Sequence, residues 1–185
     1  MRDPEIPSKA SLVKVLRERS YREGTFTLAS GKTSTFYLDV KETALSPEGA
    51  FMIGALAVEE LVRAGLKPYA VGGLTLGADP VATAMLHAAS KRGRKLDAFV
   101  VRKSEKQHGL QRRIEGPDVK GRKVLAVEDT STTGGSVLTA VEALIEAGAI
   151  VVGVAVIVDR GAGPRVEEAN LPYVAAFTLA DLGLN

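Results

Sequence analysis

Apolar positions along the chain change their period several times, and each change marks an expected element. Leu12, Val15 and Leu16 recur at helical spacing behind Ser8, so a first helix is expected from about Ser8, with Gly24 as its stop. The stretch GTFTLASGKTSTFYLDV then alternates about Ser30-Gly31-Lys32, as a β-hairpin does. Ser46-Pro47 sets a capping hydroxyl and a proline where a helix begins, and Ala55, Leu56 and Leu61 carry that helix to about Gly65. A short strand from Tyr69 to Val71 enters GGLTLGADP, and a helix opening at Asp79-Pro80 ends near Gly93. Leu96 to Val101 forms the next strand, after which no hydrophobic period is present between Arg102 and Arg122. Val124 to Val127 reads as a buried strand. Val137, Leu138, Val141, Leu144 and Ile145 follow at helical spacing, with Gly148 as their stop. Ile150 to Val158 is a nearly continuous β-branched strand, and the tail offers a short helix from Pro164 and a strand near Tyr173 to Phe177. Alternating strands and helices predict an α/β fold with a mostly parallel central sheet of about five strands flanked by helices. The expected organisation is one domain over 1–185, with a small N-terminal hood contributed mainly by about 1–45.

Composition narrows the function classes without choosing among them. At 185 residues and 45% hydrophobic content the chain can bury one good core. Lys+Arg of 24 against Asp+Glu of 22 is close to balance, so a general nucleic-acid coat is not expected. With no cysteine there is no disulfide and no thiol chemistry, which fits a reducing cytoplasm. The N-terminal MRDPEIPSK lacks the apolar core of a signal peptide, and no apolar run reaches membrane-spanning length.

The candidate chemistry concentrates in KVLAVEDTSTTGGS, residues 123–136. A strand is followed by Glu128 and Asp129, then by a turn of hydroxyls and glycines, then by a helix. Unpaired N–H groups at a helix start carry partial positive charge and favour an anion. Gly134 and Gly135 let backbone approach a phosphate, and Thr132, Thr133 and Ser136 add hydroxyl donors. The pattern is neither GxxxxGK[ST] nor GxGxxG, which disfavours a Walker-type or dinucleotide site. Two carboxylates would repel an anion beside them unless something lay between, such as sugar hydroxyls or a metal.

Other stretches add to this picture. The glycine-rich turn 72–80 exceeds what a plain connection needs. Between Arg102 and Arg122 the chain carries Arg102, Lys103, Lys106, His108, Arg112 and Arg113, cations suited to closing over a polyanion. No aromatic is interleaved among them to stack nucleic-acid bases. Phe36-Tyr37 serves either as core packing or as a platform for a planar base. Arg160, at the carboxyl end of a strand, either pairs with Asp159 or Glu128 or grips a ligand carboxylate with two parallel hydrogen bonds. The cluster Lys91, Arg92, Arg94 and Lys95 reads as solvated surface.

The strand-acid-acid-x-x-Thr-x-Gly-x-Ser pattern resembles the phosphoribosyl diphosphate (PRPP) signature of the type I phosphoribosyltransferases. RKxxKxHG after a sheet strand, a glycine-proline step, VEDTSTTGG, the FTLxSG hairpin and the later VDR are similar, in particular, to the orotate phosphoribosyltransferase family over about residues 10–165. That resemblance implies a type I phosphoribosyltransferase-like fold and a Mg²⁺-dependent pentosyl transfer from PRPP to orotate in pyrimidine (UMP) biosynthesis. It implies ribose hydroxyls beside Glu128 and Asp129, and a 5-phosphate in the turn Thr130, Ser131, Thr132, Thr133, Gly134, Gly135 and Ser136. It carries diphosphate contacts onto Arg102, Lys103, Lys106 and His108, with Lys103 as stabiliser of the departing charge. It assigns Arg160 and Thr132 to orotate, and Tyr37, from the aromatic stretch, is the further residue expected to bind that base. Mg²⁺ is expected on PRPP and water oxygens rather than in a protein cage. The resemblance also implies a homodimer sharing the 102–113 loop, a diphosphate-binding turn with a cis peptide near Leu74-Thr75, and Leu76 in place of a lysine common there. Two alternatives stay open: a relative acting on a purine or uracil, and a PRPP-sensing regulator without catalysis.

Overall fold

A computed structural model describes residues 7–27, 31, 33–104 and 113–184. The first helix, α1 (Lys9–Arg19), opens on Ser8, whose hydroxyl accepts the Ser11 N–H at 3.1 Å. It ends at Ser20, four residues before the expected glycine stop. The cause is a tertiary contact: the Ser20 and Thr43 hydroxyls lie 2.7 Å apart in the interior. Gly24 belongs instead to the hairpin β1 (Tyr21–Thr27) and β2 (Thr33–Leu38), at a register shift between Glu23 and Phe26 where its φ is +153°. The hairpin forms its own two-stranded sheet.

A short helix, α2 (Lys41–Ala44), leads to α3 (Pro47–Arg63), whose cap is the expected Ser46, bonded to the Gly49 N–H at 3.1 Å. Then follow β3 (Ala70–Leu74), α4 (Ala78–Lys91), β4 (Asp97–Val101) and the two-residue β5 (Ile114–Glu115). The chain closes with β6 (Lys123–Ser131), α5 (Gly135–Glu146), β7 (Ile150–Asp159), α6 (Gly163–Glu168) and β8 (Tyr173–Thr178). The main sheet has six strands in the order β5-β4-β3-β6-β7-β8, one more than the expected five. The additional member is β5, which runs antiparallel to β4, while every other pairing is parallel. Two residues are too few to leave a period in the sequence.

Side chains alternate across this sheet, and the alternation builds two cores. Leu125 and Val127 of β6 pack with Ile53, Leu56, Val81 and Met85 of α3 and α4. Val124 and Ala126 face the other way, toward Val137, Ala140, Val141 and Leu144 of α5. From β3 the chain leaves through α4 to reach β4 on one side, and β6 lies on the other side of β3. The carboxyl ends of β3 and β6 therefore flank a topological switch point, where open α/β sheets present a crevice.

Candidate active site

Two connections meet at that crevice. One follows β3 and contains the cis peptide Thr75–Leu76, one bond beyond the expected Leu74-Thr75. The turn is held from two sides, by the Thr75 N–H on the Val101 carbonyl at 2.8 Å and by the Thr75 hydroxyl on Asp79 at 2.7 Å. The other connection follows β6. That strand continues four residues past the expected Val127, because Glu128 pairs with Val156, Thr130 with Val158 and Ser131 with Asp159 of β7. The acid pair thus sits on rigid strand rather than on loop. Ser131 is buried there and uses its carbonyl on the Arg160 N–H at 2.8 Å, so Thr130 and Ser131 lie outside the open turn.

The acids and the glycine turn are in contact. A Cβ placed on Gly77 would lie 2.4 Å from Glu128 Oε1 and 2.6 Å from Asp129 Oδ1. Both acids are 5% exposed. Glu128 Oε1 accepts the Asp129 N–H at 3.2 Å, and Asp129 Oδ1 accepts the Thr130 N–H at 2.7 Å. Burial pushes the Glu128 carboxyl up to about 8, and the Asp129 charge beside it adds to the rise. The neighbouring ammonium belongs to Lys41, 2.7 Å from Asp39 Oδ1 and 3.6 Å from Asp129 Oδ2. Nothing in the hydrophobic periodicity singled out Asp39 and Lys41, which come to the crevice only because the hairpin leads into α2.

Beyond the acids the turn opens onto the start of α5. Gly134 adopts φ +74° and starts α5, Gly135 follows it, and Thr132, Thr133 and Ser136 are exposed at the helix entrance. Arg165 of α6 donates to the Thr133 carbonyl at 3.2 Å, a cation beside the turn that spacing alone did not reveal. On the adjoining strand end, Asp159 is occupied. Its Oδ1 accepts the Gly161 and Ala162 N–H groups at 3.0 and 2.8 Å and the Tyr173 hydroxyl at 2.9 Å. Among the described residues Arg160 forms no ion pair; its guanidinium lies 5.6 Å from the Phe36 ring centroid, and its buried Nε has no hydrogen-bond partner. Of the two readings of Arg160, pairing with Asp159 or Glu128 is therefore not what the structure contains. Tyr37 alternates to the other face of β2, is 43% exposed and meets Phe26 at 5.6 Å, so Phe36 and not Tyr37 stands beside Arg160.

The cationic segment leaves the sheet beside the same crevice. Arg102 and Arg113 join across its base, with the Arg102 N–H on the Arg113 carbonyl at 2.8 Å, and Arg102 Nη1 lies 3.4 Å from Glu115. Lys103 is exposed. Lys106 and His108 lie outside the described residues.

A strand-end acid pair, a glycine and hydroxyl turn at a helix start, and a guanidinium that forms no ion pair among the described residues share one crevice. The phosphoribosyl transferase domain model matches residues 40–174. The chain belongs to the phosphoribosyltransferase family. Within that family it is 52% identical over 180 residues to the orotate phosphoribosyltransferase of Streptomyces coelicolor, covering 96% of this chain and 98% of the relative. The orotate phosphoribosyltransferase of Mycobacterium tuberculosis in complex with Fe(III) dicitrate superposes with a TM-score of 0.86 at 49% identity, over 96% of this chain and 100% of that one. The same mycobacterial enzyme in complex with PRPP gives a TM-score of 0.81 at 46% identity, again over 96% and 100%. This phosphoribosyltransferase therefore sits among the orotate phosphoribosyltransferases.

Proposed function

We propose that the protein transfers the phosphoribosyl group of PRPP to orotate, giving orotidine 5-monophosphate and pyrophosphate for pyrimidine synthesis. The observation that carries this reading is the Arg160 guanidinium beside the acid pair and the turn, which among the described residues has no ion-pair partner: a base with a carboxylate needs such a group, whereas hypoxanthine and uracil do not. In the reaction the anomeric C–O bond to diphosphate breaks as the bond to a ring nitrogen of orotate forms, that nitrogen gives up its proton to the departing diphosphate, and the ribose gains oxocarbenium-like charge on the way. Thr132, Thr133, Gly134, Gly135 and Ser136 bind the 5-phosphate. Glu128 and Asp129 orient the ribose hydroxyls, and their field favours the developing positive charge. Arg160 holds the orotate carboxylate against Phe36, with Thr132 near the base. Lys103 stabilises the leaving diphosphate, helped by Arg102, Lys106 and His108, and the turn at Thr75–Leu76 offers backbone donors.

Mg²⁺ is the proposed cofactor. Among the described residues no three His, Asp or Glu side chains converge, so diphosphate and ribose oxygens with water are its proposed ligands; it neutralises diphosphate charge when bound. Two copies of the chain sharing the 102–113 segment, in a cytoplasmic enzyme, complete the proposal. Among the described residues no helix is long and apolar enough to cross a membrane. The test is a spectrophotometric assay with PRPP and Mg²⁺ in which orotate, uracil and hypoxanthine are offered in turn. Turnover of orotate alone is expected; turnover of either other base in its place overturns the assignment.

A further inference from the structure

The hairpin side of the crevice contributes one charged group to the acid pair. Lys41 Nζ is anchored at 2.7 Å by Asp39 Oδ1, which also accepts the Lys41 N–H at 3.1 Å. From that anchor the ammonium reaches within 3.6 Å of Asp129 Oδ2, a shielded oxygen with no hydrogen bond of its own. The two acids are not equivalent toward it: Asp129 faces Lys41, while Glu128 Oε1 is turned onto the Asp129 N–H. We propose that Lys41 is a positioning residue for the sugar-phosphate donor, its anchored ammonium holding the Asp129 carboxylate and aiming it at the ribose.

Among the described residues Lys41 is the cation that acts on the acid pair. Asp39, Asp129 and Tyr37 are the groups whose charge acts on Lys41; burial lowers its pKa, and the Asp39 hydrogen bond with the two carboxylate charges raises it overall. On the Glu128 side the acting charges are Asp129 and Lys41. The β3–α4 turn presents only the Gly77 backbone, since Asp79 is turned to the Thr75 hydroxyl. From β7, Asp159 is committed to its own turn and Arg160 lies against Phe36. The Lys41 charge opposes the rise of the Glu128 carboxyl, so losing the ammonium lets that rise go further. With Lys41 in place the Asp129 carboxylate has a fixed partner at 3.6 Å that holds it toward the crevice. Without it that carboxylate loses its partner, and Glu128 keeps its proton to higher pH.

The inference rests on the proposed use of PRPP, and calorimetric titration of PRPP with Mg²⁺ across about pH 6.5 to about pH 9.5 separates the two. The parent protein is expected to change affinity as Glu128 loses its proton through about pH 8. Lys41→Met is expected to bind about tenfold more weakly near neutrality and to move that change to higher pH, because the ammonium no longer opposes the rise of Glu128. Lys41→Arg, which keeps the charge, restores the parent profile. Orotate binding to the PRPP-free protein stays within about twofold in all three. Asp39→Asn, which loosens the anchor while leaving the ammonium, gives a smaller loss of the same pH dependence and carries the test if the Met variant does not fold. A Lys41→Met loss that is equal at every pH marks a merely structural contact and overturns the proposal, as does unchanged affinity. A parent protein that binds no PRPP at any pH overturns instead the functional reading beneath it.

Discussion

Gly77→Ala is the sharpest probe of the contact between the glycine turn and the acid pair. Gly77 has φ −64° and ψ −40°, a backbone conformation that alanine adopts freely, so any effect comes from the added methyl. That methyl would meet Glu128 Oε1 at 2.4 Å and Asp129 Oδ1 at 2.6 Å, where ordinary contacts begin at 3.4 Å. Each oxygen must retreat by most of an ångström. Neither is free to do so, because Oε1 accepts the Asp129 N–H and Oδ1 accepts the Thr130 N–H. A hydrogen bond to a charged group contributes about 1.5–3 kcal/mol, and overpacking of a tight interior costs about 1–3 kcal/mol. The expected loss is about 2 kcal/mol in folding free energy, measured by urea denaturation. The displaced carboxylates also lose their aim, so the KM for PRPP should rise about tenfold to about thirtyfold. Stability within about 0.5 kcal/mol of the parent together with an unchanged KM for PRPP would refute the contact.

Three further outcomes follow from other parts of the molecule. Glu128, raised to about 8, keeps a proton that the unfolded chain has released above its ordinary 4.5, so parent stability falls as pH rises through that window. Glu128→Gln should remove that slope, matching the parent near pH 4.5 and exceeding it above about pH 8; identical slopes in urea titrations would contradict the burial argument. Arg160→Ala should weaken orotate binding by about tenfold to about a hundredfold while PRPP affinity stays within about twofold, and equal losses for both ligands would count against the guanidinium's role. Gly54→Ala drives a Cβ to 2.3 Å from the Ala84 carbonyl where α3 crosses α4, so it should cost about 1–3 kcal/mol in denaturation without altering the KM for PRPP.

What the sequence revealed and what it hid divide along physical lines. The acid pair, the glycine and hydroxyl turn and Arg160 were legible because each stands at a change of period, where a strand ends and a helix or turn begins. The length of β6 was not, since Glu128 to Ser131 look like loop residues until β7 is seen to pair with them as far as Asp159. Gly24 misled because glycine ends helices and also occupies bulges, and only the buried Ser20–Thr43 contact decides between the two. Phe36 and Tyr37 are adjacent, so a one-residue choice of strand face reverses which ring stands beside Arg160. Lys41 carried no signal, being the first residue of a four-residue helix in which Glu42 and Thr43 are polar as well.

The closed turn after β7 has a consequence for how such proteins diversify. Asp159 ties the corner down through two amides and a phenol, so the shape of that corner asks nothing of its neighbour's side chain. Residue 160 is consequently a socket, with its backbone bolted to Ser131 and its side chain open to exchange. On the proposed role of Arg160, a change of base preference would need a new letter at that one position, with the scaffold around it left intact.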